Sequence, residues 1–196
     1  MYVLDIENFK QARITQTLII INIFSFIVFN IILPIEYILQ LAQINEKIII
    51  DSEYHRLITS MFLHANIMHI FSNMVALLIF GTAVEKNYYK WQYLIIYFLS
   101  GLIGNLFSLL LLPPETISLG ASGAIFGLIG AAFILFIIDG EKTLIIVGLI
   151  YLLYFIIASF SPGINIWAHL FGLTGGLIFG YIFLQKKKIR DDYFFD

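Results

Sequence analysis

The stretch SLGASGAIFG, residues 118–127, sets Ser122 between small residues at the mouth of an apolar run. A serine so placed either lets two helices touch, the usual task of small residues in membrane helices, or attacks an electrophile. The second needs a base that can take the hydroxyl proton. Four histidines are available. His64 and His69 lie in HANIMHIFSN, His169 in WAHLFGLTGG, and His55 before them in EYHRLITSMFLH. His69 and Asn73 are four apart and share one helix face. Read alone, that pair stitches helices together; a metal site lacks a suitable third ligand. His169 is either a base or a histidine bonded to a neighbouring helix or headgroup. His55 and His64 read as loop or interface histidines. His169, Gly172 and Gly176 share a face, and Gly172 with Gly176 forms a G-x-x-x-G along which another helix can approach closely. Gly123, Gly127 and Gly130 line up in the same way. If those two seams meet, Ser122 comes within reach of His169.

Such an arrangement needs helices held in a bilayer, and the composition supplies them. The 196 residues are 60% hydrophobic and 12% charged, against about 25% charged in a soluble domain, and mean hydropathy is +0.93. The chain therefore reads as an all-α, polytopic membrane protein. A net charge of −2 suggests no nucleic-acid partner. With no cysteine, disulfides, Cys-ligated metals and thiol chemistry are excluded. A crossing helix needs about 20 mostly apolar residues, and six segments qualify, near Thr15–Leu33, Asn66–Val84, Trp91–Leu112, Ala121–Ile138, Thr143–Phe160 and Ile164–Leu184. The first is too long for a signal-peptide core and lacks an A-x-A cleavage site, so it is expected to be retained. The expected organisation is a cytosolic segment 1–14, a six-helix domain 15–185 and a cytosolic tail 186–196. In that tail, KKKIRDDYFFD is a topology signal followed by a mobile end.

Lys10, Arg13, Lys86, Lys90, Lys142, Lys186, Lys187, Lys188 and Arg190 fall in one set of connections, and only Lys47 and Arg56 in the other. The positive-inside rule then places both termini in the cytosol. The connection Pro34–Leu63, the PPETISL turn and SFSPGI face outward. Pro34–Leu63 is long, yet its apolar residues are spread among few charges, which fits an interfacial structure sunk in the outer leaflet. No span carries an acid in its middle; Asp139, Glu141 and Lys142 sit at the cytosolic end of the fourth, which argues against a proton-relay pump. A transporter is disfavoured further by the lack of broken-helix pairs. The second, fourth and sixth spans run in parallel, so Ser122, His69, Asn73 and His169 share one membrane layer.

In these motifs the sequence is similar to the rhomboid intramembrane serine proteases. HANIMHIFSN fits H-x-x-x-x-H-x-x-x-N, GASG fits G-x-S-G, and AHLFGLTGG fits A-H-x-x-G-x-x-x-G, in order and in the expected spans, from the first span to Leu184 and with no seventh helix expected. The resemblance implies a six-transmembrane-helix rhomboid-like bundle. Its fourth helix starts below a water-filled cavity open to the outside, and no metal or organic cofactor is needed. It makes Ser122 the nucleophile and His169 the general base and acid. Oxyanion donors come from His69, Asn73 and the Ser122 backbone N–H. His64 and Arg56 support the loop after the first span, with His55 where the family has tryptophan. Gly120, Gly123, Gly172 and Gly176 support close packing. Phe126 stands where an aromatic, commonly tyrosine, packs on the catalytic histidine. The implied activity is cleavage of transmembrane protein substrates within the lipid bilayer, near the extracytoplasmic ends of their helices. The competing reading is an inactive rhomboid-like helix-binding protein; such proteins typically lose the serine or histidine, and this chain keeps both. A dyad lacks the aspartate that orients histidine in a triad, so ring packing and burial are expected to orient His169. The isoleucine- and lysine-rich composition suggests a prokaryotic plasma membrane.

Overall fold

The computed structural model describes residues 6–140, 142–161 and 163–194, which are mostly helical. Six apolar helices form the body: α1 (Arg13–Ile32), α2 (Ile67–Asn87), α3 (Lys90–Leu111), α4 (Ser122–Asp139), α5 (Lys142–Ala158) and α6 (Ile166–Phe194). Their starts fall within two residues of those read from hydropathy. Among the described residues, four stretches are long and apolar enough to cross a membrane: α1, α2, α3 and Ile166–Gln185 of α6. Where six spans are expected, α4 and α5 are shorter. The reason in α4 is local: Gly120, at φ +135°, turns the chain just before Ser122, and Gly140, at φ +68°, ends the helix in a left-handed cap, the usual glycine stop. α6 instead outruns its apolar stretch, its backbone staying helical to Phe194 where the sequence reading ends the span at Leu184. Residues 1–5 and 195–196, Glu141, and the side chains expected to act as a topology signal at 186–190 lie outside the described residues.

α4 is the centre of the bundle. Between its polar ends, Ser122 and Asp139, its residues are apolar all round, and Ala124, Ile125, Phe126, Leu128, Ile129, Ala131 and Ala132 are all buried, as a helix without a polar face must be. α3 and α6 pack closely on it. Along the α4–α6 seam a Cβ at Gly172 would strike the Gly123 carbonyl, and one at Gly176 the Gly127 carbonyl. The two backbones touch there because nothing lies between them, the close approach that small residues permit. α5 packs chiefly on α4 and turns Ile146, Ile150, Leu153, Tyr154 and Ile157 outward.

Two polar devices fix the frame. The first turn of α1 has no side-chain cap of its own. Glu85, from the end of α2, takes its place: its carboxylate accepts from the N–H groups of Ile14 and Thr15 and from the Thr15 hydroxyl, each at 2.8 Å. A carboxylate at a helix N-terminus satisfies free N–H groups and meets the positive end of the dipole. The second device is the α1–α2 connection, which is folded rather than loose. It contains helical turns at Glu36–Leu41, Asn45–Asp51 and Arg56–Thr59, and a strand β1 (Gln43–Ile44) antiparallel to β2 (Ile117–Ser118), with Gln43 opposite Ser118. Buried Arg56 gathers it, donating to the carbonyls of Leu39 and Ala42 at 2.6 and 2.8 Å and pairing with Glu53. Asn45 donates to the Pro113 carbonyl at 3.2 Å. The connection is thereby tied to the loop that leads into Ser122.

Candidate active site

Ser122 is the first residue of α4, so its backbone N–H is one of the four that a helix start leaves without an internal partner. The loop before it is held open by Gly120. The Gly120 N–H donates to the Ser60 carbonyl at 2.9 Å. Its φ of +135° favours glycine, and a Cβ there would lie 2.9 Å from His69 Nε2. His69 thus crowds the Gly120 backbone beside Ser122.

His169, in the first turn of α6, reaches back across the seam. Its Nε2 is 2.8 Å from Ser122 Oγ. The Phe126 ring, one turn into α4, stacks on the imidazole at 4.3 Å between centroids and 14° between planes. The other ring nitrogen, Nδ1, is 2.6 Å from the hydroxyl of Ser159 at the end of α5. Among the described residues, no carboxylate lies within hydrogen-bonding distance of His169.

His69 and Asn73 project from α2 toward the same point. The Asn66 side chain caps that helix, accepting from the His69 N–H at 2.9 Å. His69 Nδ1 accepts from the Ala65 N–H at 3.4 Å, which leaves Nε2 as the protonated nitrogen of a neutral ring. Asn73 is buried, and its Nδ2 has no partner among the described residues. His64 is fully buried beneath, edge-on to His69 at 5.1 Å, and neither of its ring nitrogens has a partner among the described residues. Burial, with a smaller contribution from His69, pushes the His64 imidazole down to about 3, so it stays neutral. His55 is exposed, away from this cluster.

Two cavities meet at the Ser122–His169 pair. One, of about 610 Å³, is lined by Asn66, Ser118, Gly120 and Asn165 among others. The smaller, of about 160 Å³, is lined by Asn73, Ala76, Ile129, Phe155 and Ser159 among others. The first is the more polar of the two and the second is mostly apolar. Sequence reasoning did not identify Ser159, Asn165 or Glu85. Asn165 caps α6, accepting from the Ala168 N–H at 3.1 Å, and donates to Ser118 at 2.9 Å. Its signal was present, since asparagine before an apolar run is an N-cap residue. Ser159 carried no comparable signal.

The rhomboid domain family model matches residues 51–186. A candidate rhomboid protease of Bacillus subtilis, YdcA, is 38% identical over 146 residues, which cover 71% of this chain and 72% of that protein. RHOMBOID-like protein 6, mitochondrial, of Arabidopsis thaliana is 34% identical over 148 residues, 73% of this chain and 48% of that one. Rhomboid-like protease 3 of Toxoplasma gondii is 34% identical over 145 residues, 69% and 53% of the two chains. The chain thus spans most of the Bacillus protein and about half of the other two. Its apolar helices and these matches make it an integral, multi-pass membrane protein, and the chain belongs to the rhomboid family.

Proposed function

We propose that the protein is an intramembrane serine endopeptidase with Ser122 as nucleophile and His169 as general base and acid. The observation that carries this reading is the 2.8 Å approach of Ser122 Oγ to His169 Nε2 where the two cavities meet. Nε2 takes the hydroxyl proton as Oγ adds to the scissile carbonyl carbon. The carbonyl oxygen becomes an oxyanion. It draws on His69 Nε2–H, the free Nδ2 of Asn73 and the Ser122 N–H at the positive end of α4, donors set in advance where charge develops. The imidazolium then gives its proton to the leaving amine, and an acyl-enzyme remains. Water from the polar cavity repeats the addition with His169 as base, releasing the acid and restoring the serine.

The domain proposed to do this is 15–185, a six-span bundle with both termini in the cytosol of a prokaryotic plasma membrane. Charge asymmetry supports the orientation. Exposed Ile31, Ile32, Ile35, Tyr37, Ile49 and Ile50 around the α1–α2 connection support its seating in the outer leaflet. Substrates are transmembrane proteins cut near the extracytoplasmic ends of their helices, with a small residue just before the cut. A serine-directed fluorophosphonate tests the reading. Stoichiometric labelling of Ser122 in the purified protein is expected. Absence of labelling in a folded sample would leave the inactive helix-binding alternative.

A further inference from the structure

We propose that Ser159 is a positioning residue that fixes the tautomer of His169, an inference that rests on the reading of Ser122 and His169 above. The proton count leads there. Ser159 lies just past the last turn of α5 and is 3% exposed. Its hydroxyl donates to the Phe155 carbonyl at 2.7 Å, and that bond uses the only proton it has. Toward His169 Nδ1, 2.6 Å away, Ser159 Oγ can only accept. Nδ1 therefore carries the ring hydrogen, and Nε2 of the neutral imidazole is left as a lone pair aimed at Ser122. The chain of donors runs one way: Ser122 O–H to Nε2, Nδ1–H to Ser159 Oγ, Ser159 O–H to Phe155 O.

The same bond holds the ring in place. Phe126 lies flat against one face, but a ring turned 180° about its Cβ–Cγ bond would lie equally flat, so stacking alone does not choose between the two orientations. A 180° flip would swap each nitrogen for a carbon and break both hydrogen bonds together. Ser159 thus supplies, from a neighbouring helix and without charge, part of the orienting that an aspartate gives a triad. Burial and ring packing, the means expected from the sequence, act alongside it. A hydroxyl acceptor is weaker than a carboxylate, so its loss should cost far less than the roughly 10⁴-fold seen when a triad aspartate is neutralised.

Threonine and valine at this position have nearly the same shape and differ in the hydroxyl, so they separate the bond from the packing. The full-length protein in detergent is assayed as parent, Ser159→Thr, Ser159→Val, Ser159→Ala and Ser122→Ala, on a transmembrane reporter and by the rate of fluorophosphonate labelling. The expected result is Ser159→Thr within about threefold of the parent. Ser159→Val and Ser159→Ala should fall about tenfold or more in kcat, with KM within about twofold and labelling slowed in parallel. Equal kcat in Ser159→Thr and Ser159→Val, whether at parental level or both reduced, would overturn the role of the hydroxyl. Should Ser159→Val not fold, parental labelling by Ser159→Ala overturns it equally. Cleavage surviving in Ser122→Ala would remove the underlying dyad reading instead.

Discussion

The hydroxyl of Ser122 has a single proton to give, and His169 Nε2 lies 2.8 Å away to receive it. Ser122→Ala and His169→Ala should each abolish cleavage while leaving an inserted, folded protein. Parental turnover by either, in a reporter assay with a matched melting curve, would refute the assignment. Asn73 differs because His69 and a backbone N–H share its proposed task. Asn73→Ala should slow kcat by up to about a hundredfold, the lower end of the usual loss for one oxyanion donor, and the double variant with His69→Ala should lose more. His64 gives a prediction about stability. Its folded value of about 3 lies below the ordinary histidine value of 6.5, so between these limits the unfolded chain binds a proton that the folded one refuses. Stability is undiminished above pH 6.5 and should fall as pH drops toward 3, with a slope approaching 1.4 kcal/mol per pH unit from this one group. Replacing His64 with Phe should flatten the melting temperature over that window; an unchanged slope would show that the site is not as dry as its burial implies.

At the scale of elements, the seam between α4 and α6 decides whether those two side chains meet. Gly172→Ala or Gly176→Ala would push a methyl into the facing Gly123 or Gly127 carbonyl. Overpacking of this kind costs about 1–3 kcal/mol, and displacing α6 carries His169 away from Ser122. Both variants are expected to melt earlier and to lose activity out of proportion to the stability lost. Glu85→Gln removes charge from the α1 cap and should lower the melting temperature while leaving the kcat of the folded fraction near parental. Much of this was legible beforehand. Hydropathy located the apolar helices, four of them long enough to cross a membrane among the described residues, because lipid demands long apolar runs, and the i, i+4 spacing of the glycines exposed the seam. Other features left no local pattern. Glu85 reads as one more charge in a solvated turn until α1 is seen lying on it. Ser159 reads as a serine closing an apolar run until α5 and α6 are brought together. The short turns between Pro34 and Leu63 are too brief for periodicity to register, and tertiary bonds from Arg56 and Asn45 hold them.

For the whole molecule, the proposed cleavage places a demand on the substrate. A substrate helix keeps its carbonyls in internal hydrogen bonds, so its backbone must unwind before Ser122 can attack. Glycine or proline near the site lowers that cost by roughly 1–3 kcal/mol per residue. Single-pass reporters with such a residue in the outer third should be cleaved there and uniform Leu helices spared, as fragment masses would reveal. Cuts at the cytosolic end, or equal cleavage of the Leu control, would defeat both mechanism and orientation. The placement of Ser122 on α4 and His169 on α6 also bears on biosynthesis. The two are parted by all of α5, so a growing chain inserts its serine long before its histidine leaves the ribosome. Until α6 docks along the glycine seam, the hydroxyl lacks the imidazole of His169, and the His69 ring nearby presents an N–H rather than a lone pair. Chains stalled after residue 158 should accordingly fail to react with a fluorophosphonate. On the proposed mechanism the unfinished protein is thus harmless to the other nascent helices around it, and arms itself only on the arrival of α6.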